Sequence, residues 1–251
     1  MNSVFFEKIF KRKSFHIFRN VGNETISNDE INEIKNVYQQ FSSLHPEIKT
    51  AIQIVPAGET NCKRGEEYCI LMYSENKDGY LQNIGYLGNK LDLYLVSKNI
   101  GTLWFGIGKT DERSYNGMEF VIMIAIRKIS DEKKFRKDMF KSKRKPVDGI
   151  WEGEPIPGVT DIVRFASSAC NSQPWFVRRD GGRSVYRYRK PGRIGIMPAS
   201  HVAYFNRIDI GIFLCFLDLC LVRAGIGFER TLHRDDGREQ ELTLNAIYKM
   251  N

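Results

Sequence analysis

Apolar positions recur at helical spacing in some stretches of the chain and at strand spacing in others, and their order predicts most of the elements. Phe5, Ile9 and Phe10 give a first helix, from Val4 to about Lys11, an apolar face. Ser27 with Glu30 three residues later makes a capping box, and Ile31, Ile34, Val37, Tyr38 and Phe41 continue at helical spacing, which predicts a second helix. Thr50 to Val55 and Tyr68 to Tyr73 read as strands. A long, mostly buried helix is expected from about Leu81 to Ser97, closed by Lys98-Asn99 with Gly101 as its stop. Phe120 to Ile126 has no alternation, as in a central strand covered on both faces.

Composition then shifts. Lys133 to Lys145 is strongly basic, and the Gly/Pro-rich passage from Pro146 to Gly158 marks a boundary between halves 1–146 and 147–251. Beyond it the order of elements partly repeats. A helix is expected near Thr160 to Ala169, strands at Trp175 to Arg178 and Val185 to Arg189, and an apolar helix from about Asn206 to Arg223 ending at Gly225. Short strands at Gly227 to Arg230 and Glu241 to Tyr248 close the chain. The two long helices share an early Ile-Gly step (Ile84-Gly85, Ile210-Gly211) and a central Leu-Asp-Leu (Leu91-Asp92-Leu93, Leu217-Asp218-Leu219). An internal duplication is the reading this favours: two similar α+β halves with antiparallel-dominated sheets and helices around them.

With 42% hydrophobic and 27% charged residues in 251, the chain falls in the globular class rather than the disordered one. A formal net charge of +8 favours an anionic partner, whether nucleic acid, an acidic membrane surface or a phosphorylated cofactor. The most apolar stretch, Ile210 to Val222, is too short to span a bilayer and carries Asp218. Five cysteines without a CxxC pair are expected as reduced thiols of a cytoplasmic protein, buried as small hydrophobes, and no metal site is expected from their spacing.

Three stretches carry candidate chemistry. Arg12-Lys13-Ser14-Phe15-His16 combines positive charge with a hydroxyl donor, which suits a phosphate or an anionic ring edge. In Ala166-Ser-Ser-Ala-Cys-Asn-Ser-Gln-Pro-Trp175, Ser and Asn side chains compete for backbone bonds and stop a helix before Pro174 begins a strand. Ser142-Lys-Arg-Lys-Pro146 reads alone as a solvated tail, a nucleic-acid patch or a phosphate clamp.

Taken together, these stretches resemble the FMN-dependent nitroreductase superfamily. Its opening Arg-(Arg/His)-Ser-x-(Arg/Lys) motif is matched by Arg12, Lys13, Ser14 and His16, and its Ser-(Ser/Ala)-x-Asn-x-Gln-Pro-Trp motif by Ser167, Ser168, Asn171, Gln173, Pro174 and Trp175, with one residue more between the serines and Asn171. Its Asn-Ile-Gly helix leading to Gly-Thr-x-Trp and a Gly-rich turn is matched from Asn83 through Gly108, and its Arg-x-Pro by Arg144-Lys145-Pro146. The order is that of the single-chain subgroup, the TM nitroreductases, in which one polypeptide holds what two subunits supply elsewhere. The resemblance implies FMN between the halves, with Arg12, Ser14 and Arg144 on its phosphate and Lys13 and His16 near the phosphate, ribityl chain or pyrimidine edge. Ser167, Ser168 and Asn171 would approach from the second half, and the backbone of Gly106 and Ile107 would face N5. It also implies NADH or NADPH as donor, a nitroaromatic, quinone or similar flat acceptor, a ping-pong cycle with no protein acid or base, and a monomer or weak homodimer. His16 stands where Arg or Lys is usual, Ser142 where many members have Lys, and Ala166 where they have Pro. Two other readings compete: a different flavin chemistry on the same scaffold, and a nucleic-acid surface built on Lys133 to Lys145 and Arg178 to Arg193 with Tyr186 and Tyr188 stacking.

Overall fold

A computed structural model of the chain describes residues 2–179, 183–188, 193–235 and 242–250. The capping box at Ser27 forms: Ser27 Oγ accepts from the Glu30 amide at 3.2 Å, and Glu30 Oε2 accepts from the Ser27 amide at 3.0 Å. Two orphan amides are thereby satisfied at the start of α2 (Asn28–Gln39), which follows α1 (Asn2–Lys11).

The first sheet contains β1 (Thr50–Pro56), β2 (Tyr68–Ser74), β3 (Ile100–Phe105) and β5 (Met118–Lys128), in the order β1-β2-β5-β3 and antiparallel throughout. A two-residue strand, β4 (Ser114–Tyr115), folds back on the start of β5. The helix α3 (Tyr80–Ser97) joins β2 to β3. After a single turn, α4 (Thr160–Val163), the second sheet contains β6 (Trp175–Arg179), β7 (Arg183–Tyr188), β8 (Phe228–Leu232) and β9 (Leu242–Met250), in the order β6-β7-β9-β8. Here α5 (Ala199–Arg223) joins β7 to β8. Both sheets therefore share one plan: a hairpin, a long helix, then a second hairpin whose last strand lies beside the second. As read from its sequence, β5 is covered on both faces. Ile122, Ile124 and Ile126 join the core around α3 and α5, while Met123 and Ala125 pack with Phe15, Phe18 and Leu103 in a smaller cluster.

The two Ile-Gly steps are where α3 and α5 touch. A Cβ on Gly85 would lie 2.0 Å from the Ile208 carbonyl oxygen, and one on Gly211 would lie 2.0 Å from that of Gln82. Only glycine permits backbone contact this close. The two Leu-Asp-Leu aspartates also behave alike. Asp92 accepts from Arg12, Thr102 and Trp104, and Asp218 accepts from Arg230, Tyr86 and Tyr248. A buried carboxylate with three donors, one of them cationic, keeps its charge compensated.

Several expectations change. The residue that turns out of α3 is Asn99, with φ 56°, while Gly101 lies inside β3, a strand the pattern did not show. Gly101 is needed there because a Cβ would meet Phe15 and Ile129 at 2.9 Å. The helix expected over Thr160 to Ala169 is only the turn α4, since the Ser/Asn-rich run withdraws from helical geometry early. The last helix begins at Ala199, seven residues before the predicted Asn206, because Pro198 fixes its start and its first turns are not uniformly apolar. Phe41 lies beyond α2. Arg189 and Glu241, the expected limits of two strands, fall outside the described residues, as do residues 190–192 and the side chains of Tyr186 and Tyr188 invoked for nucleic acid. Among the described residues no helix is long and apolar enough to cross a membrane.

Candidate active site

The segment after α1 runs extended against β3, with Ser14 bridged to Thr102 and the Phe15 amide donating to the Thr102 carbonyl at 2.9 Å. Side chains of extended backbone alternate. Arg12, Ser14 and His16 accordingly line one cavity of about 870 Å³, while Phe15 is buried on the other side. Lys13 follows Phe15, its Nζ donating to the Lys134 carbonyl at 2.7 Å and lying 4.8 Å from the Phe15 ring centre. Of the ten expected cofactor residues, Lys13 is the one that does not line the cavity, and the period of two is the reason. The other nine all do.

Arg12 is held by Asp92, Nε to Oδ2 at 2.8 Å, with Asp92 fully buried and saturated by Thr102 Oγ1 at 2.6 Å and Trp104 Nε1 at 2.9 Å. This fixes the guanidinium and leaves its terminal N–H groups without a partner among the described residues. Arg136 and Arg144 also reach the cavity. Burial, reinforced by the charges of Arg136, Arg12 and Arg164, pulls the Arg144 guanidinium down to about 10. Arg136 is lowered by burial and by Arg12, with Asp92 opposing. Three guanidiniums thus converge on a place where Asp92 supplies the balancing carboxylate for only one.

The loop from Ser167 to Gln173 forms the facing wall. Cys170, Asn171 and Gln173 all have positive φ, at 49°, 55° and 48°, a cost that local bonds offset. Asn171 Oδ1 accepts from Arg144 Nη1 at 2.8 Å, and Gln173 Oε1 from the Lys145 amide at 2.8 Å. The Asn and Gln of this motif therefore stitch the loop to the Arg-x-Pro segment. Ser168 Oγ accepts from the Gln173 amide at 2.9 Å. Beneath the loop Asp209 accepts from the Ala169 amide at 3.0 Å and from Ser172 Oγ at 3.2 Å, and burial pushes its carboxyl up to about 8. At this wall Arg144 Nε and Ser167 Oγ are buried without a hydrogen-bond partner among the described residues.

The Gly-rich turn closes the cavity near α5. A Cβ on Gly106 would meet the Phe205 ring at 2.8 Å, and the amides of Gly106 and Ile107 make no hydrogen bond among the described residues. Leu103, Ile122, Met197, Phe205, Ile208 and Ile212 supply an apolar lining. A flat ring carrying an anionic tail matches these walls in size and chemistry.

A family model described as "Putative TM nitroreductase" matches residues 5–220. The chain belongs to this family. Among solved structures, a "putative nitroreductase" from Thermotoga maritima MSB8 superposes with TM-score 0.56 at 17% identity, over 92% of this chain and 90% of that one. It shares the fold. A second "putative nitroreductase", from Desulfovibrio desulfuricans and in complex with FMN, gives TM-score 0.45 at 16% identity over 61% of this chain and 98% of that one. No curated protein matches the chain.

Within the TM nitroreductase fold, several site residues lay outside the motifs. Arg136 was hidden in a basic run that reads as solvated surface. Asp92 was visible as half of the repeated Leu-Asp-Leu, but nothing in the sequence tied it to Arg12. Arg64, Phe205 and Asp209 also line the cavity without any motif to mark them. Cys170 is exposed, unlike the other four cysteines, because it sits at the strained apex of the Ser167–Gln173 loop.

Proposed function

We propose that this chain is a cytoplasmic flavoprotein that binds FMN in the 870 Å³ cavity and transfers electrons from NADH or NADPH to a small flat acceptor such as a nitroaromatic or quinone. The observation that carries the reading is the guanidinium cluster. Arg12, Arg136 and Arg144 converge on the cavity and Asp92 pairs directly with Arg12 alone, so the cluster carries an excess of positive charge suited to a phosphate monoester. The orphaned Arg144 Nε and Ser167 Oγ supply further donors beside it.

In this reading Arg12, Ser14, Arg136 and Arg144 hold the phosphate, and Asp92 orients Arg12. His16, Ser167 and Ser168 approach the ribityl chain and ring edge, and Asn171 acts by positioning Arg144. Lys13 has no part. The free amides of Gly106 and Ile107 are the donors for the N5 edge, with Phe205 and Ile208 excluding water from the ring. Bound flavin supplies the two-electron hydride chemistry, so the protein needs only to bind, orient and leave one face open. The halves 1–146 and 147–251 each contribute one wall, as two subunits do in dimeric nitroreductases, so one chain holds both walls whether it acts as a monomer or a weak homodimer.

An absorbance spectrum of the purified protein, repeated after incubation with FMN and desalting, tests this. Flavin bands retained near one equivalent are expected, with bleaching on addition of NADH or NADPH. A colourless preparation that ignores FMN removes the reading.

A further inference from the structure

The turn between β1 and β2, together with the start of β2, holds three ligand-type groups that the cavity does not use. Cys62, Glu66 and Cys69 are all buried, and their sulfur and carboxylate oxygen atoms lie within 4.8 Å of one another. Thr60 sits beside them, its Oγ1 3.4 Å from Cys69 Sγ and accepting from the Cys62 amide at 3.2 Å. The Glu66 carboxylate accepts a backbone bond from Arg64 at 2.7 Å. On the other side lie the apolar residues of the smaller core, Phe15, Phe18 and Val55 among them. A buried carboxylate in such surroundings calls for a compensating cation.

We propose that Cys62, Glu66 and Cys69 form a binding site for one divalent metal ion, zinc by its donor chemistry, with Thr60 Oγ1 or a water as fourth ligand. Zinc takes thiolate sulfur and carboxylate oxygen at about 2.0–2.3 Å in tetrahedral array, which sets ligands about 3.3–3.8 Å apart. The donors need to close by only about 1 Å to reach that spacing. Thiolates select against magnesium and calcium. Metal uptake releases the two thiol protons to solvent, leaving two thiolates, a carboxylate and the ion with one net negative charge. Lys63, whose Nζ donates to the Thr60 carbonyl at 3.3 Å, brings a positive charge to the same turn.

The site sits directly behind the wall of the cavity. Asn61, next to Cys62, donates from Nδ2 to the Ile107 carbonyl at 3.2 Å and accepts at Oδ1 from the Lys109 amide at 2.6 Å. Its own amide donates to the Lys109 carbonyl at 3.2 Å, and Arg64 lines the cavity. An ion at Cys62 would fix the turn that carries Gly106 and Ile107, a structural role independent of what the cavity holds.

The full chain, reduced and stripped of metal by a chelator, is titrated with Co²⁺. One equivalent should produce a thiolate charge-transfer band in the near ultraviolet and strong ligand-field bands in the red, both discharged by Zn²⁺. Cys62→Ser and Glu66→Gln should each weaken cobalt binding by at least about 10–100-fold, while Cys170→Ser leaves the bands intact. Glu66→Gln preserves shape, so it decides the matter if Cys62→Ser fails to fold. Absence of the bands in fully reduced protein overturns the proposal, including the case where Cys62 and Cys69 are isolated as a disulfide and take up no cobalt after reduction. Bands unchanged in a folded Glu66→Gln, or lost in Cys170→Ser, overturn it as well.

Discussion

Arg144→Met removes one of the three converging guanidiniums and keeps an aliphatic stem in its place. In the flavin-free protein this charge is held under strain, because burial and the neighbouring Arg136, Arg12 and Arg164 pull its pKa well below the ordinary guanidinium value, to about 10. The full shift corresponds to roughly 3 kcal/mol, and solvent screening of a partly exposed group reduces this to about 1–3 kcal/mol. The sign follows from linkage. The folded state binds the Arg144 proton less tightly than the unfolded state, so the penalty applies at all pH values below about 10 and disappears with the charge. Against this stand the lost bonds to Asn171 and to the Phe165 and Lys143 carbonyls, about 0.5–1.5 kcal/mol each where water does not replace them. The flavin-free variant should therefore unfold in urea within about 1 kcal/mol of the parent. Flavin binding should respond quite differently. Charge-assisted bonds to phosphate are worth about 1.5–3 kcal/mol, so the Kd for FMN, read by quenching of flavin fluorescence, should rise about 10- to 150-fold. Riboflavin, which lacks the phosphate, should bind the parent and variant alike. A variant that loses several kcal/mol of stability but keeps its preference for FMN over riboflavin would show the cluster to be a structural element instead of an anion site.

Lys13→Ala should leave FMN affinity within about twofold, since Lys13 points to the Lys134 carbonyl; a tenfold loss in the same titration would contradict the alternation argument. Asp92→Asn should cost about 3–5 kcal/mol in urea denaturation because Arg12 becomes a buried charge without a counterion. Asp209 binds its proton more tightly folded (about 8) than unfolded (3.8), so stability should fall as pH rises from about 4 to 8 and level off above. Asp209→Asn should flatten that slope, measured as urea midpoints at pH 5 and pH 9, and an unchanged slope would place the effect elsewhere. Gly85→Ala should abolish folding or cost about 3 kcal/mol or more, because its Cβ would lie 2.0 Å from a backbone oxygen; a normal thermal midpoint would refute the helix crossing.

Local signals in the sequence were reliable where one interaction decides the outcome. Ser27 and Glu30 cap α2 as their spacing implies, and the unalternating β5 is buried on both faces. The first strand of the second hairpin, β3, is not legible in the pattern because Gly101-Thr102 looks like a turn unless Phe15 packs against it. The cavity was legible in part. The motif residues Arg12, Ser14, His16, Arg144 and Ser167 converge, but what sets their geometry does not lie beside them in the chain. Asp92 is eighty residues from Arg12, and the pair depends on α3 lying beneath the segment that follows α1. Arg136 looks like any other member of a basic run, and only the tertiary path turns it inward. Lys13 shows the reverse, a motif position whose direction is decided by the backbone period rather than by its chemistry.

Both walls of the cavity come from one polypeptide, Arg12 to His16 on one side and Ser167 to Asn171 on the other. A site assembled between separate subunits comes apart on dilution, and its occupancy follows protein concentration by mass action. Here the two walls are tethered, so their effective concentration toward each other is fixed by the chain. Such a site persists at any expression level. Every substitution also alters it once instead of twice, which frees each wall to change without a mirrored change opposite.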